Sequence, residues 1–269
     1  MRIFISLDME GSTGLCSFRE VDPASPFYSR GTRAMEEDLR AVLQGAREAG
    51  ATEFYICDAH DHGANLSLDS LGEDVFTIRG TGHPLSMMAG VDLTEFDGAF
   101  FLGYHAKRGS SGVMAHTYYL NVVQAAYVLG HEVGEFGFNV PVAWAFGIPA
   151  LLASGDDVLL EEVRAISSRT ERCRVKESLG NKCVLCYDPQ RTHHDLHTAA
   201  KRAVLNIKNA KRPSAIPGDI RITFCTKEQA MAAAAFGTMV DDTTVDFSGS
   251  DYLDSFKRAV AAMDKAARG

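Results

Sequence analysis

The sequence lacks the apolar segments that mark membrane and exported proteins. No stretch of its 269 residues approaches the roughly 20 consecutive apolar residues that a membrane helix needs. The richest stretch, residues 142–153, is interrupted by Gly147 and Pro149. At the amino terminus, only a short apolar run precedes Asp8 and Glu10, which is not the pattern of a signal peptide. We therefore expect no membrane partner.

An excess of positive charge and phosphate-binding loops are also missing. The chain has 27 Lys and Arg against 35 Asp and Glu, for a formal net charge of −8. A nucleic-acid partner would require a basic face, so none is expected. There is no GxxxxGK[ST] motif, and Gly80-Thr81-Gly82 lacks the third glycine of a dinucleotide fingerprint. The sequence thus gives no support for a nucleotide cofactor.

The six cysteines do not form the pattern of a small disulfide-rich domain, and we expect a reducing, cytoplasmic location. Cys183 and Cys186 form a CxxC pair, which His193 and His197 follow. Only six residues separate Cys186 from His193, whereas finger-type zinc sites have about twelve. We interpret this spacing as a coincidence, and a secondary structural metal site is the alternative.

Short apolar runs alternate with helix-period segments in the first two-thirds of the chain. Strands are predicted at residues 2–7, 53–57, 75–78, 99–104 and 150–153, with a helix at 33–49. This order predicts an α/β fold with a mostly parallel sheet and helices on both faces. After it, helices are predicted at 189–208, 228–236 and 252–267, with strands at 220–224 and 243–247. We expect a catalytic α/β domain at 1–188 and a smaller α+β lobe at 189–269, a candidate for oligomerisation.

Ionisable side chains follow three of the predicted strands. Asp8 and Glu10 follow the first strand, Asp58 and His60 the second, and His105 the strand at 99–104. The carboxyl ends of parallel strands border the crevice where ligands bind, and residues two apart in extended chain share a face. Such carboxylates and imidazoles form a ligand set suited to zinc or a similar divalent ion. Singly, each is more often a turn former or an ordinary hydrogen-bonded histidine, but their coincidence at three strand ends favours a metal centre.

Two further segments belong to this set. The small-residue loop from Gly109 to Gly112 leads to His116, and its backbone amides could serve as oxyanion donors; the alternative is an ordinary flexible connection. Glu135 opens an apolar helical stretch, where it is either a partner of the helix dipole or a spare carboxylate for the metal crevice.

With these residues the chain resembles the binuclear-zinc D-aminopeptidases, the dipeptide-transport-associated D-aminopeptidases of bacteria. The motifs that carry the resemblance occur in the family's order: Leu-Asp-Met-Glu-Gly (7–11), Asp-Ala-His (58–60), Gly-Tyr-His-Ala (103–106), Gly-Val-Met-Ala-His (112–116), Gly-Glu-Phe-Gly-Phe-Asn (134–139) and Gly-Asp-Asp (155–157). Ala59, Ala115 and Thr117 stand where the family has serine.

The resemblance implies the following metal ligands: Asp8 as a bridge between two Zn²⁺ ions, Glu10 and His60 at one ion, and His105 and Glu135 at the other. Co²⁺ or Mn²⁺ could share these ligands. His116 corresponds to the family's catalytic residue. The family also implies a homo-oligomer, in the form of a ring-shaped decamer.

The expected function is a metal-dependent aminopeptidase that hydrolyses the N-terminal residue of short peptides, in particular D-amino-acid peptides such as D-Ala-D-Ala. A hydroxide that bridges the two zinc ions would attack the carbonyl, and His116 would donate to the oxyanion or shuttle a proton to the leaving amine. Two alternatives stay open: a binuclear metal amidase or hydrolase acting on another small substrate, and a non-catalytic binding protein stabilised by metal.

Overall fold

The computed structural model describes residues 1–67, 71–210 and 213–268, and its largest element is a seven-stranded sheet, sheet A. Its strands, numbered in chain order, are β1 (Arg2–Leu7), β2 (Glu53–Asp58), β3 (Val75–Ile78), β4 (Gly98–Leu102), β7 (Ala150–Asp156), β8 (Glu171–Ser178) and β9 (Val184–Cys186). They lie in the order β3-β2-β1-β4-β7-β8-β9, and every pair is parallel except β8 with β9. The parallel sheet is confirmed.

Helices cover both faces of sheet A, as predicted. On one face lie α1 (Tyr28–Glu48) and α4 (Pro189–Leu205), which pack against each other as well as against the strands. On the other face lie α2 (Glu135–Ala145) and α3 (Asp157–Ile166). The central strands are therefore buried on both sides, which explains why β1 and β4 are nearly continuous apolar runs.

A second, antiparallel sheet, sheet B, packs on the face of sheet A that carries α2. Its strands are β5 (Val123–Val128), β6 (His131–Val133), β10 (Ile220–Phe224), β11 (Thr238–Met239) and β12 (Thr244–Asp246), in the order β11-β12-β10-β5-β6. The helices α5 (Lys227–Ala233) and α6 (Tyr252–Ala267) accompany it. Sheet B takes strands from both sides of residue 188. The division of the chain into two domains, 1–188 and 189–269, stays a prediction.

Several elements differ from the sequence expectation. α1 begins at Tyr28, five positions before the predicted 33, and α4 ends at Leu205 instead of 208. The predicted strand at 150–153 continues to Asp156, whose carboxylate then caps α3 by accepting from the Leu159 amide at 2.8 Å. The sequence did not predict the strands β5, β6, β8, β9 and β11 or the helix α3. Among the described residues, no helix is long and apolar enough to cross a membrane.

Candidate metal centre

The predicted site residues come together at the carboxyl edge of sheet A. β1 lies between β2 and β4, so the segments that follow these three strands meet at one place. Around this point lie all six side chains predicted as ligands or catalytic residue, each with 8% or less of its surface exposed: Asp8, Glu10, His60, His105, His116 and Glu135.

One half of the centre joins the segments after β1 and β2. The Nδ1 atom of His60 lies 3.0 Å from Glu10 Oε2 and 3.3 Å from Asp8 Oδ1. On the other side of the ring, Nε2–H donates to the Val21 carbonyl oxygen at 2.8 Å. Because a carbonyl can only accept, Nε2 carries a proton, and Nδ1 is directed at the two carboxylates. Metal-binding histidines are commonly oriented by such a backbone carbonyl.

The other half joins the end of β4 to the start of α2. His105 Nε2 lies 3.2 Å from Glu135 Oε1 and 3.5 Å from Asp8 Oδ2, while its Nδ1–H donates to the Ala106 carbonyl at 3.1 Å. Asp8 thus presents Oδ1 to His60 and Oδ2 to His105. Its carboxylate stands between the two halves.

His116 lies against both halves, farther from their carboxylates than His60 and His105 are. Its Nε2 atom is 3.9 Å from Glu10 Oε1 and 4.0 Å from Glu135 Oε1, and its ring stacks on that of His105 with centroids 4.0 Å apart. Its Nδ1–H donates to the Met114 carbonyl at 2.9 Å. Burial, and then the neighbouring His105, lower the pKa of His116.

The donor set fits a divalent metal. Asp8 Oδ2, Glu10 Oε2 and His105 Nε2 are buried and have no hydrogen-bond partner within the described chain. Such groups are costly to bury unsatisfied, and a cation would satisfy all three. Ligand atoms of Asp8, Glu10 and His105 lie within 4.8 Å of one another, as do those of His105, His116 and Glu135. Nitrogen and oxygen donors at this spacing suit zinc.

The pKa values reflect three crowded carboxylates. Burial, and then repulsion from Glu10, raise the pKa of Asp8 to about 7. Burial acts in the same direction on Glu10 and Glu135, but His60 and His105 respectively outweigh it and lower the pKa of both carboxyl groups. The charges of the carboxylates and imidazoles in this cluster are therefore strongly coupled.

Asp58 and Asn65 support the segment that carries His60. Asp58, the last residue of the strand that precedes His60, accepts from the amides of Asn65 at 2.6 Å and Leu66 at 2.9 Å, so it is a turn former. The Asn65 side chain in turn donates to the His60 carbonyl at 2.7 Å. The sequence signal for this support is the position of Asp58 two residues before His60.

A buried polar chain that the sequence did not predict holds Glu135. The Tyr118 amide donates to Glu135 Oε1 at 2.7 Å, and the Tyr118 hydroxyl donates to Asn139 Oδ1 at 2.6 Å. Asn139 Nδ2 donates to the Tyr104 hydroxyl at 3.1 Å. Asn139 lies four positions after Glu135 on α2, and that helical spacing is the signal that could have identified it.

Three backbone amides in the segment before His116 already have acceptors within the protein. Its Ser110, Val113 and Met114 amides donate to the Lys107 carbonyl, the Asp156 carboxylate and the Asn181 carbonyl, respectively. These amides are therefore occupied within the protein.

A cavity of about 800 Å³ opens beside the centre. All six predicted residues line it, and α6 forms part of the opposite wall through Val260, Asp264 and Ala267. Apart from histidines, its ionisable lining is mostly acidic, with Arg268 as the exception among the described residues. The cavity therefore favours a ligand with a positively charged group.

The Cys183–Cys186 segment does not form a comparable cluster. Both cysteines are exposed, whereas His193 Nε2 lies 3.4 Å from Asp38 Oδ1 and His197 Nε2 lies 3.0 Å from Glu48 Oε1. Within the described residues, no group able to hold a metal includes these cysteines or histidines. The interpretation as a coincidence of spacing agrees with this arrangement.

A buried carboxylate–imidazole cluster at the strand ends of an α/β sheet, open to a cavity, is the arrangement of a metal-dependent hydrolase. The model of the family Peptidase M55, described as D-aminopeptidase, matches residues 1–261. The chain belongs to this family and is an enzyme of the peptidase class.

Two relatives extend over the full chain. A D-aminopeptidase of Bacillus subtilis (strain 168) is 32% identical over 273 residues, which cover 100% of this chain and 98% of that protein. A solved structure, described as the Zn-dependent D-aminopeptidase DppA from Bacillus subtilis, a self-compartmentalizing protease, matches with a TM-score of 0.94 at 30% identity. The match covers 100% of this chain and 99% of the other, so the fold is shared from end to end.

Proposed function

We propose that this protein is a zinc-dependent aminopeptidase that releases the N-terminal residue of short peptides, with D-amino-acid peptides such as D-Ala-D-Ala as substrates. The observation that carries the proposal is a set of buried atoms on Asp8, Glu10 and His105 that have no hydrogen-bond partner among the described residues and lie together at the wall of a cavity. The descriptions of the relatives as D-aminopeptidases, one of them Zn-dependent, support it.

Two zinc ions would be held by the two halves of the centre. Glu10 and His60 would hold one ion and His105 and Glu135 the other, and Asp8 could contribute to both because its two oxygens face different histidines. Two divalent ions outweigh the charge of the three carboxylates by one unit. Co²⁺ or Mn²⁺ would fit the same nitrogen and oxygen donors.

When bound, a pair of zinc ions would polarise the peptide carbonyl and lower the pKa of water enough to supply hydroxide as the nucleophile. His116 then moves the proton. Its Nδ1–H is fixed on the Met114 carbonyl, so Nε2 has a free lone pair directed at the centre. It can accept a proton there and pass it to the leaving amine, which favours a proton shuttle over an oxyanion donor.

The cavity suits a short peptide with a free amino terminus. Its volume of about 800 Å³ lies within the usual range for small-ligand sites, roughly 300–1,000 Å³. Asp61 and Asp264 also line the cavity, and their negative charge favours a substrate with a free ammonium group.

Metal analysis combined with a substrate panel tests the proposal. We expect about two zinc ions per chain and release of D-Ala from D-Ala-D-Ala, with slower or no cleavage of L-Ala-L-Ala. Cleavage of simple amides without cleavage of peptides would favour the amidase alternative instead. Bound metal with no turnover of any substrate would favour a metal-stabilised binding protein.

Assembly and location follow the same reasoning from the family. We propose a homo-oligomer, a decamer by resemblance, located in the cytoplasm; the structural relative is described as self-compartmentalizing. Analytical ultracentrifugation of the purified protein tests the first part, and a monomer at micromolar concentration would contradict it.

A further inference from the structure

Lys176 is a buried cation with no part in the proposed chemistry. It lies on β8 with 1% of its surface exposed. Its Nζ atom donates to three backbone carbonyls in one turn: Glu10 at 2.6 Å, Leu15 at 2.7 Å and Ser12 at 3.1 Å. A lysine ammonium has three donors and no acceptor, so all of its hydrogen-bonding capacity is spent on this turn.

The surroundings of Lys176 indicate that its burial has a specific structural purpose. Within the described chain, no carboxylate lies within ion-pair distance of Lys176, so backbone carbonyls accept its three hydrogen bonds while Asp156 and Asp38 act on the charge only from farther away. Burying a charge without a charged partner is expensive. In sheet A, β4 and β7 separate β8 from β1, yet the side chain reaches the turn that follows β1.

The turn that Lys176 holds is the one that carries Glu10. Asp38 on α1 fixes its middle by accepting from the Thr13 amide at 2.8 Å and the Thr13 hydroxyl at 2.7 Å. The Gly11 amide donates to the Gly103 carbonyl at 2.7 Å, and a Cβ on Gly11 would lie 1.9 Å from the Tyr104 carbonyl oxygen. The turn therefore packs directly on the segment after β4, and Lys176 holds it from the other side.

We propose that Lys176 is a positioning residue for Glu10. By fixing the backbone carbonyls of Glu10, Ser12 and Leu15, Lys176 positions the Glu10 carboxylate against His60. It thereby determines the metal affinity of that half of the centre, whereas His105 and Glu135 are held by other contacts. This inference rests on the two-ion centre proposed above.

The first test needs no metal. We compare Lys176→Met, which keeps the length and apolar stem but removes the three donors, with Arg47→Met as a matched control. Arg47 also anchors a turn, by donating to the Leu71 carbonyl at 2.7 Å and to Asp74, but at the opposite edge of sheet A. In metal-free protein, Lys176→Met should accelerate amide hydrogen exchange in residues 8–15, and Arg47→Met should leave that segment unchanged. Wild-type exchange in Lys176→Met overturns the inference.

The second test measures metal affinity by titration with Co²⁺ and Zn²⁺. Loss of a group that orients a ligand typically weakens binding about 10- to 100-fold. We expect Lys176→Met to bind one ion with wild-type affinity and the other within this weaker range, and Arg47→Met to bind both normally. Equal weakening of both ions, or of neither, overturns the inference.

The two proposals fail in different ways. If the wild-type protein binds no metal, the proposed function fails, and the exchange experiment still decides whether Lys176 holds the turn. If the wild type binds two ions and Lys176→Met does the same with unchanged affinities, only the role of Lys176 fails. Should Lys176→Met not fold, Lys176→Arg replaces it, since arginine keeps the charge but cannot place three donors on the same carbonyls; wild-type affinity at both ions would again overturn the inference.

Discussion

Two parts of this chain carry metal-binding residue types at suggestive spacing, and the fold treats them in opposite ways. Asp8, His60, His105 and Glu135 are far apart in sequence and meet within a few ångströms. Cys183, Cys186, His193 and His197 are close in sequence, yet within the described residues they form no shared cluster. Strand order decides the outcome, because neighbouring parallel strands deliver distant segments to one edge.

The second region separates because its residues belong to elements with different partners. Cys186 ends β9 at the edge of sheet A, where its surroundings are open. His193 and His197 lie one helical turn apart on α4 and face α1, whose Asp38 and Glu48 pair with them. Helical spacing thus directs both histidines to carboxylates on the neighbouring helix.

The largest expected effect comes from replacing Asp8, the proposed shared ligand of the two metal ions. Asp8→Asn removes the charge that faces both histidines, so we expect loss of both ions. Peptide hydrolysis should fall by at least about 1,000-fold, since the metal-derived nucleophile is worth several kcal/mol. Elemental analysis and a D-Ala-D-Ala assay measure the two effects. A variant that retains two ions would contradict the bridging role.

A separate variant distinguishes catalysis from ligation. His116→Ala should leave about two ions per chain and lower kcat by roughly 10²- to 10⁴-fold, the usual range for a general acid–base group. The same two measurements apply. If the variant loses metal, His116 belongs among the ligands and its assignment as the proton shuttle is wrong.

In the second region, the expected effect is a modest pH dependence of stability. Contact with Asp38 raises the pKa of His193. The pair therefore stabilises the fold fully below the unfolded histidine value, about pH 6.5, and its contribution disappears as the pH rises through the raised folded value. Compared with wild type, His193→Gln should lose about 1 kcal/mol or less at acidic pH and nothing at alkaline pH. Urea unfolding of metal-free protein measures this; an equal loss at both pH values would contradict it.

The smallest expected effect belongs to the cysteines. The double variant Cys183→Ser, Cys186→Ser should keep the wild-type metal content and activity, because both thiols are exposed and lie outside the metal-binding groups of the described chain. If elemental analysis shows an ion missing from this variant, the region holds a structural metal after all.

Much of the fold and of the candidate site could be predicted from the sequence. The elements that were missed are strands without an apolar pattern or depend on contacts between distant segments. The buried strands β1, β2 and β4 are recognisable as apolar runs, and the polar residues after them indicate the edge of the sheet where the candidate metal ligands lie. β8 reads Glu-Arg-Cys-Arg-Val-Lys-Glu-Ser, which resembles a surface segment, because its inward-facing Lys176 is polar.

Contacts between distant segments were beyond the reach of the sequence pattern. Lys176 acts on a turn more than 160 residues earlier in the chain, and Tyr118 and Asn139 act through a polar chain that forms only when α2 docks. β5 contains Gln124 and two alanines, so its strand character depends on pairing with β10.

Helix α6 contributes to the shape of the cavity but, among the described residues, not to the metal-binding groups beside it. Its residues Val260, Asp264 and Ala267 line the cavity but supply no atom to the metal-binding groups of the described chain. Substitutions in this helix can therefore change the shape of the cavity without removing any of the proposed ligands. Substitutions in this carboxyl-terminal helix can thus alter substrate preference while the catalytic groups stay unchanged.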